Sequence, residues 1–304
     1  MDVLSLQLRL FCLILAGAAA EKLGLIGQAG RKTLSDLLLG VILPCNILSS
    51  YISLSEVPEA FVGNCIRIFL ISAGIQAAAI LGSRILFKRF PERQRGVLSY
   101  GLICSNAGFI GLPVVETLFG SLGVMYTSIF MIPFRFSMWT VGLAQFIRVD
   151  RRETAGKLLK NPCILATFGG LLIALGGLPV PGFLGGAAAS LSGCTVPASM
   201  LVIGSILAGV PMRALLSKPV LLFTVVRLIL FPGAVFLVLR PLHIDALLCG
   251  ICLLMTGMPA GGTASILADK YGGDASLASR IIFTSTLAST VTVPLWMMAA
   301  AGMG

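Results

Sequence analysis

Two segments rich in glycine and proline interrupt the apolar stretches of this chain, and together they could bind an anion. The first is Ser105-Asn-Ala-Gly-Phe-Ile-Gly-Leu-Pro113, and the second is Gly257-Met-Pro-Ala-Gly-Gly-Thr-Ala264. Glycine lets backbone N–H groups approach a ligand closely. Where a helix starts again after such a break, its unpaired N–H groups and its dipole attract a negative group such as a carboxylate.

Proline costs little in a first helical turn, so we predict that half-helices begin near Pro113 and near Thr263. The candidate substrate-binding residues of the two breaks are Asn106, Gly108, Gly111, Pro113, Pro259, Gly261, Gly262 and Thr263. The alternative interpretation is that both breaks are kinks that only allow helices to cross closely. Two matched breaks favour a binding site.

Two arginines in the middle of apolar stretches, Arg135 and Arg227, are further candidates for substrate binding. An arginine at the centre of a bilayer is costly, so it usually faces a cavity or a partner. Either guanidinium could hold a substrate carboxylate. The alternative is that the side chain extends towards the membrane surface or pairs with backbone carbonyls.

The elements that must position these residues are membrane helices. The chain is 57% apolar and 11% charged, whereas soluble domains have about 25% charged residues. About 20 apolar residues are enough to cross a bilayer. The chain divides into stretches near 4–20, 31–53, 62–86, 96–121, 122–147, 162–178, 184–209, 218–239, 244–270 and 275–301. We therefore predict an all-α polytopic membrane protein with ten transmembrane helices.

The two breaks occupy matching positions in two halves of the chain, residues 1–150 and 151–304, at an offset of 153 residues. The same offset pairs Pro44 with Pro197. Each half has five predicted helices, and an odd number makes the halves run in opposite directions across the membrane. Such an inverted repeat is common among secondary transporters. We expect the broken helices, the fourth and the ninth, to cross near the middle of the membrane.

The basic residues behind the net charge of +10 concentrate on one side of the predicted helices. The links after the odd-numbered helices contain Lys22, Arg31, Lys32, Lys88, Arg89, Arg93, Arg95, Arg148, Arg151, Arg152, Lys157, Lys160, Arg213, Lys218 and Lys270. The opposite links contain Arg240. By the positive-inside rule, we expect a multi-pass protein of the cytoplasmic membrane with both termini outside. This distribution favours contact with the lipid bilayer over binding of nucleic acid.

The sequence lacks the motifs of common enzymes and metal sites. It contains no H-E-x-x-H, no G-x-S-x-G and no P-loop, and its one histidine is His243. The eight cysteines lie within the predicted helices, where they are typical of packing residues rather than of disulfides or metal ligands. We therefore expect neither an enzyme, nor a metal, nor a cofactor.

Two coupling ions stay open, H⁺ and Na⁺. The acidic residues Glu21, Asp36 and Glu116 lie towards the ends of predicted helices, so no obvious buried carboxylate would carry a proton, and Asp36 is the best candidate among them. A sodium ion could instead use backbone carbonyls of the breaks, with Asn46, Gln76 or Thr263 beside them, because unwound helices supply oxygen ligands.

The segment Asn106-Ala-Gly-Phe-Ile-Gly-Leu-Pro113, the second break at Pro259, and ten helices with both ends outside resemble the auxin efflux carrier family. That family includes bacterial organic-anion permeases and plant hormone carriers. The resemblance covers the whole chain in architecture and is specific in sequence around 99–120 and 252–295. The long hydrophilic loop of the large plant members is replaced by the short link 148–161, which disfavours auxin itself as the substrate.

The resemblance implies a bile-acid symporter-like fold. Helices one, two, six and seven would form a scaffold that can form a homodimer. Helices three to five and eight to ten would form a mobile transport unit with crossed, broken helices. The resemblance also implies that Asn106 contacts the substrate and that Pro113 and Pro259 are the prolines of the crossing.

These patterns together predict a secondary active transporter that moves a small organic anion, a mono- or dicarboxylate, by alternating access around the crossed breaks. The resemblance to bacterial relatives suggests malonate, malate or lactate-like acids. The alternative is an anion channel or facilitator on the same fold, which stoichiometric flux with counterflow would distinguish from a carrier.

Overall fold

The regular elements of the protein are helices. The computed structural model describes residues 3–53, 59–147, 156, 159–208, 217–242 and 244–301. In this part of the chain every regular element is helical, so the predicted all-α class is confirmed. Helices long and apolar enough to cross a membrane are Ala29–Ile52, Phe61–Leu86, Ala107–Gln145, Gly182–Ile206, Lys218–Leu242 and Ala275–Ala299. These elements are typical of a multi-pass membrane protein, whereas the ten-helix count and the inverted repeat stay predictions.

The α-helices are numbered here in chain order. Their bounds are α1 Val3–Lys22, α2 Gln28–Leu37, α3 Leu43–Ile52, α4 Phe61–Leu86, α5 Glu92–Ile103, α6 Leu112–Ser137, α7 Pro162–Gly176, α8 Gly182–Ser192, α9 Thr195–Ala208, α10 Lys218–Val225, α11 Phe231–Leu239, α12 Ala246–Thr256, α13 Thr263–Lys270 and α14 Ala275–Ala301. Predicted link residues that lie outside the described part are Arg148, Arg151, Arg152, Lys157, Arg213 and His243.

Several helices contain a proline that follows a wide π-helical turn. Such turns span Leu38–Ile42, Ala107–Gly111, Met138–Gly142 and Val226–Leu230. Three of them end two residues before a proline, at Pro44, Pro113 and Pro232. Proline has no N–H, and its ring clashes with the carbonyl four residues earlier. A wider turn relieves that clash, so the helix continues instead of ending.

Pro232 has no N–H to donate to the carbonyl four residues earlier, and a side chain donates to that carbonyl instead. Residue Leu228, four positions before Pro232, accepts a hydrogen bond from Trp296 Nε1 at 2.7 Å. The donor comes from α14, a different helix. The widened turn is therefore stabilised by tertiary contact as well as by its own backbone.

Gly120 interrupts α6 with φ 61° and ψ −156°, in the left-handed region that favours glycine. The apolar element Ala107–Gln145 has 39 residues. As one straight helix it would be about 59 Å long, roughly twice the thickness of a bilayer core. The interruption divides this element close to residue 121, where the sequence predicts that one membrane span ends and the next begins.

The chain divides into two compact units. The first contains residues 1–67, 108–129 and 159–209, and the second contains 68–107, 130–158 and 210–304. The division of the sequence into halves at residue 150 stays a prediction.

In the first unit, α1 packs along α9, and a glycine on each helix lets the two backbones lie close together. A Cβ atom added to Gly204 of α9 would lie 2.0 Å from the carbonyl oxygen of Ile14. A Cβ atom added to Gly17 of α1 would lie 2.4 Å from the carbonyl oxygen of Leu201. Small residues of this kind bring membrane helices together, since van der Waals contact is the main attraction between them.

In the second unit, the core lies where α5, α10 and α14 meet. Phe223 of α10 packs against the face of α5 at Gly101, where a Cβ atom would also meet Ile281 of α14. The ring of Phe87 lies 6.4 Å from that of Phe223, measured between centroids. This core surrounds the C-terminal end of α5 and so fixes the position of the first break.

Candidate functional site

The first break is shorter than the sequence predicts. Helix α5 ends at Ile103, and helical winding resumes at Ala107 in the wide turn that precedes Pro113. Helix α6 begins at Leu112, beside the predicted start near Pro113, and the wide turn from Ala107 already winds the chain before it. The non-helical residues are Cys104–Asn106. Gly108, Gly111 and Pro113 belong to this resumed helix and to the first unit.

The second break occupies residues 257–262. It follows α12, which ends at Thr256, and α13 begins at Thr263, the position predicted from the sequence. The hydroxyl groups of Thr263 and Tyr100 are 2.8 Å apart and share a hydrogen bond. This contact ties the first residue of α13 to α5.

The two breaks meet in the second unit. Ser105 and Ala260 form an isolated antiparallel β-bridge. The N–H of Asn106 donates to the carbonyl of Pro259 at 2.7 Å, and the N–H of Gly261 donates to the carbonyl of Cys104 at 3.1 Å. Unwound backbone inside a membrane must satisfy its own polar groups, and this two-way pairing does so. The structure thus brings together Asn106, Pro259 and Gly261.

At position 261 the crossing leaves no room for a side chain, so glycine is required there. A Cβ atom there would lie 3.1 Å from the carbonyl oxygen of Cys104 and 3.2 Å from that of Ser105. At Gly108 and Gly262 a Cβ atom would have no heavy atom within 4 Å. The backbone segments therefore approach most closely at Gly261, whereas Gly108 and Gly262 leave open space.

We expect Gly261→Ala to lower the free energy of unfolding by about 1–3 kcal/mol, the usual range for overpacking. The neighbouring carbonyls cannot easily retreat, because one of them accepts the N–H of Gly261 itself. Thermal unfolding of the purified protein in detergent would measure the loss. Gly262→Ala is the matched control, since its new methyl group would occupy open space. Equal melting temperatures for the two variants would contradict the proposed close approach.

Arg227 holds the two breaks from a third direction. Its Nε donates to the carbonyl of Met258 at 2.8 Å, and its Nη1 donates to that of Leu102 at 3.0 Å. Both carbonyls lie at the C-terminal ends of half-helices, where a positive charge is favourable. The guanidinium also stacks over the ring of Phe231, 5.7 Å from its centroid. Of the two interpretations that the sequence left open, this geometry matches pairing with backbone carbonyls.

A small pocket lies beside the crossing within the second unit. Its empty volume, including the open mouth, is about 230 Å³. Its polar lining comes from Gln76, Ser105, Arg227 and Thr256, and the remaining lining is apolar and includes three phenylalanines. Most of the volume is open space, and the enclosed part has room for about one water molecule. Among the described residues that line it, the charge comes from Arg227.

Arg135 lies in the second unit, buried on α6 with 6% of its surface exposed. It follows Phe134, which lines the pocket. Arg135 itself is not among the described residues of the pocket lining. The structure therefore places the two predicted arginines differently: Arg227 lies at the crossing, and Arg135 is buried outside the described pocket lining.

From the sequence, Gln76 is predicted only as an oxygen ligand of a sodium ion. Its side chain is buried in the pocket, and Oε1 has no hydrogen-bond partner among the described residues. The signal available in the sequence was its position, an amide near the middle of the long apolar helix α4, well apart from Asn64 near the start of that helix. A polar residue at such a depth in a membrane helix usually marks a cavity or a partner.

Comparison with known proteins identifies the family. The profile of a family described as "Membrane transport protein" matches residues 2–157 and 151–297 of the chain. The chain belongs to the auxin efflux carrier family. The membership predicted from the motif at Asn106 is thus confirmed. Auxin efflux carriers are membrane transport proteins and not a family of enzymes.

Two archaeal relatives extend over nearly the full length of this family member. An uncharacterized transporter of Methanothermobacter thermautotrophicus is 27% identical over 300 residues, covering 95% of each chain. An uncharacterized transporter of Methanocaldococcus jannaschii is 23% identical over 305 residues, covering 97% of each chain. The similarity thus includes both breaks and both units of the auxin efflux carrier chain.

Proposed function

We propose that the protein is a secondary active transporter that moves a small organic anion, a mono- or dicarboxylate, by alternating access around the crossed breaks. The observation that carries this proposal is the pairing of Ser105 with Ala260 beside a pocket that contains Arg227. Broken helices that cross within a membrane are the usual place of substrate sites in secondary transporters.

The charge of the proposed site favours an anion. Helical winding starts at Ala107 and at Thr263, so two helix N-termini border the crossing, and the first N–H groups of a helix have no partner within the helix itself. Arg227 adds a positive charge, and the described pocket lining includes no acidic side chain. A cation would have to give up its hydration shell and then lie beside positive groups, which is unfavourable. The apolar lining suits the carbon body of a small solute.

The residues proposed to contact the substrate are those at the crossing. Asn106, Pro259, Gly261, Gly262 and Thr263 supply amide, hydroxyl and backbone groups. Arg227 provides charge and holds the crossing in place. Roles for Gly108, Gly111, Pro113 and Arg135 in substrate binding stay predictions.

The division into two units supports separate tasks for them. The first unit contains α1 to α3 and α7 to α9, the helices to which the family resemblance assigns a scaffold, together with the start of α4 and residues 108–129, which it assigns to the transport unit. The second unit contains the crossing. We assign the scaffold, and a homodimer contact, to the first unit and movement of the substrate to the second. The orientation in the cytoplasmic membrane, with both termini outside, follows from the positive links.

Uptake into proteoliposomes tests this function. We expect saturable uptake of one or more of labelled malonate, malate and lactate, and no uptake of a labelled cationic amine. Counterflow, the exchange of external label for unlabelled internal substrate, should accompany it. Saturable amine uptake with no response to carboxylates would contradict the anion proposal. Carboxylate flux without counterflow would indicate a channel.

We expect Asn106→Ala to lower uptake about tenfold, the effect of losing one hydrogen bond to a charged ligand. The melting temperature should change little, because the bond from Asn106 to Pro259 uses the backbone N–H, which alanine keeps. Ser289→Ala is a matched control: it removes a buried hydroxyl that bonds to the carbonyl of Thr286 on its own helix. An equal loss of uptake and stability in Asn106→Ala would show that the amide serves folding instead.

A further inference from the structure

The sequence gives no buried carboxylate an obvious role, but the structure partly buries Glu116 within the first unit and encloses its Oε2 atom. Glu116 lies on α6, three residues after Pro113. The hydroxyl of Ser192, at the end of α8, donates to Glu116 Oε1 over a long contact of 3.5 Å. The side chain of Asn46, on α3, donates through Nδ2 to the same hydroxyl at 2.9 Å. The three side chains form a directed chain from amide to hydroxyl to carboxylate.

Two oxygen atoms of this cluster accept no hydrogen bond from the described residues. Glu116 Oε2 and Asn46 Oδ1 are both buried and have no hydrogen-bond partner in the described part of the chain. Asn46 as a whole is 1% exposed. A buried acceptor without a donor is unfavourable, and an unpaired carboxylate is more so. Both atoms are hydrogen-bond acceptors. A proton bound to Glu116 Oε2 would remove the unpaired acceptor on the carboxylate.

The described helices that form hydrogen bonds with Glu116 provide no positive charge to balance an ionised carboxylate. Helices α3 and α8, which supply its hydrogen-bond partners, contain no Lys, Arg, His, Asp or Glu. The titratable side chains on α3 are Cys45 and Tyr51. On α6 itself the other charged residue is Arg135, close to the far end of the helix. A proton on the carboxyl group would remove the charge and turn one oxygen into a donor.

We infer that Glu116 is a proton-binding site, with Asn46 and Ser192 as its positioning residues, and that H⁺ is the coupling ion. The assignment to coupling rests on the proposed transport function. The carboxylate takes up one proton from one side of the membrane and releases it to the other, so the group is unchanged after a cycle. One proton moved with one monocarboxylate leaves no net charge transferred.

Glu116→Gln tests coupling, because its amide has the shape of a protonated carboxyl group and cannot release a proton. In proteoliposomes, labelled lactate, malate and malonate would be offered with an acidic outside and, separately, in counterflow at equal pH. We expect the variant to lose at least tenfold in pH-driven uptake and to keep counterflow within about twofold of the native protein. Asp36→Asn, which neutralises an exposed carboxylate of the same unit, should keep both activities.

A second measurement needs no substrate. Infrared difference spectra recorded during pH titration should show the C=O stretch of a protonated carboxylic acid in the native protein, and Glu116→Gln should lack that band. Asn46→Ala should shift the band, since it removes the amide beside the carboxyl group. This measurement stands even if Glu116→Gln fails to fold or if no tested carboxylate is transported.

Three results would overturn the inference. Unchanged pH-driven uptake in Glu116→Gln would exclude Glu116 from coupling. Uptake driven by a sodium gradient and indifferent to pH would assign a different ion. Identical infrared titrations of Glu116→Gln and the native protein would show that Glu116 binds no proton in this range. Absence of all carboxylate uptake and counterflow in the native protein would instead contradict the proposed function, while the infrared band would still decide the proton site.

Discussion

Replacing Arg227 by methionine is expected to lower the free energy of unfolding by about 2–6 kcal/mol, at about 1–3 kcal/mol for each buried carbonyl left without a donor. Those carbonyls belong to Met258 and Leu102, which bond to Nε and Nη1 of the guanidinium. Transport should be lost together with stability, because the same atoms hold the crossing. Thermal unfolding in detergent and uptake into proteoliposomes would measure the two effects.

Two further variants make this result specific. Arg227→Lys keeps the charge but replaces the planar fork by a single ammonium group, so its stability should fall between that of the native protein and that of Arg227→Met. Arg280→Met removes a guanidinium that bonds to a carbonyl of its own helix, at Ser276, and should cost little. Native-like stability in Arg227→Met would mean that the two carbonyls are not held by this side chain.

The second large effect is expected in the first unit, where Gly204→Ala should cost about 3 kcal/mol or more by overpacking. The new methyl carbon would lie 2.0 Å from the carbonyl oxygen of Ile14 and 2.7 Å from the backbone nitrogen of Ala18. Backbone atoms cannot change rotamer, so α1 and α9 would have to move apart. A lower melting temperature, or loss of the folded protein during purification, would record the change.

Gly186→Ala is the matched control for this substitution. It lies on α8 in the same unit, and a Cβ atom there has no heavy atom within 4 Å. Alanine favours a helix over glycine by about 0.5–1 kcal/mol, so this variant should be as stable as the native protein or slightly more so. If Gly204→Ala behaved in the same way, α1 would not pack along α9 as described.

The sequence predicts those features of the fold that depend on local composition. Apolar stretches predict membrane helices, and the glycines and prolines locate the breaks to within a few residues. The start of α13 at Thr263 follows from such local signals. The segment from Asn106 to Pro113 is also sufficient to identify the family.

Features that depend on distant partners could not be predicted. Proline normally indicates a helix end, but the helix continues through Pro113 and Pro232 in wide turns. At Pro232 the released carbonyl is bonded by Trp296, 68 residues from its acceptor in sequence. The same holds for Glu116, placed by the sequence near a helix end, since its burial depends on Ser192 and, through it, on Asn46.

The two breaks are joined directly to each other by main-chain atoms, and the side chains of Arg227 and Ser285 bond to them from neighbouring helices. The bonds between Asn106 and Pro259 and between Gly261 and Cys104 involve backbone groups, and Arg227 contacts carbonyls rather than side chains. Side chains at 105 and 106 can therefore be exchanged without altering the bonds that hold the breaks together. Libraries randomised at these two positions, in a background that keeps Gly261 and Arg227, should yield folded carriers with altered solute preference and would suit directed evolution of new uptake systems.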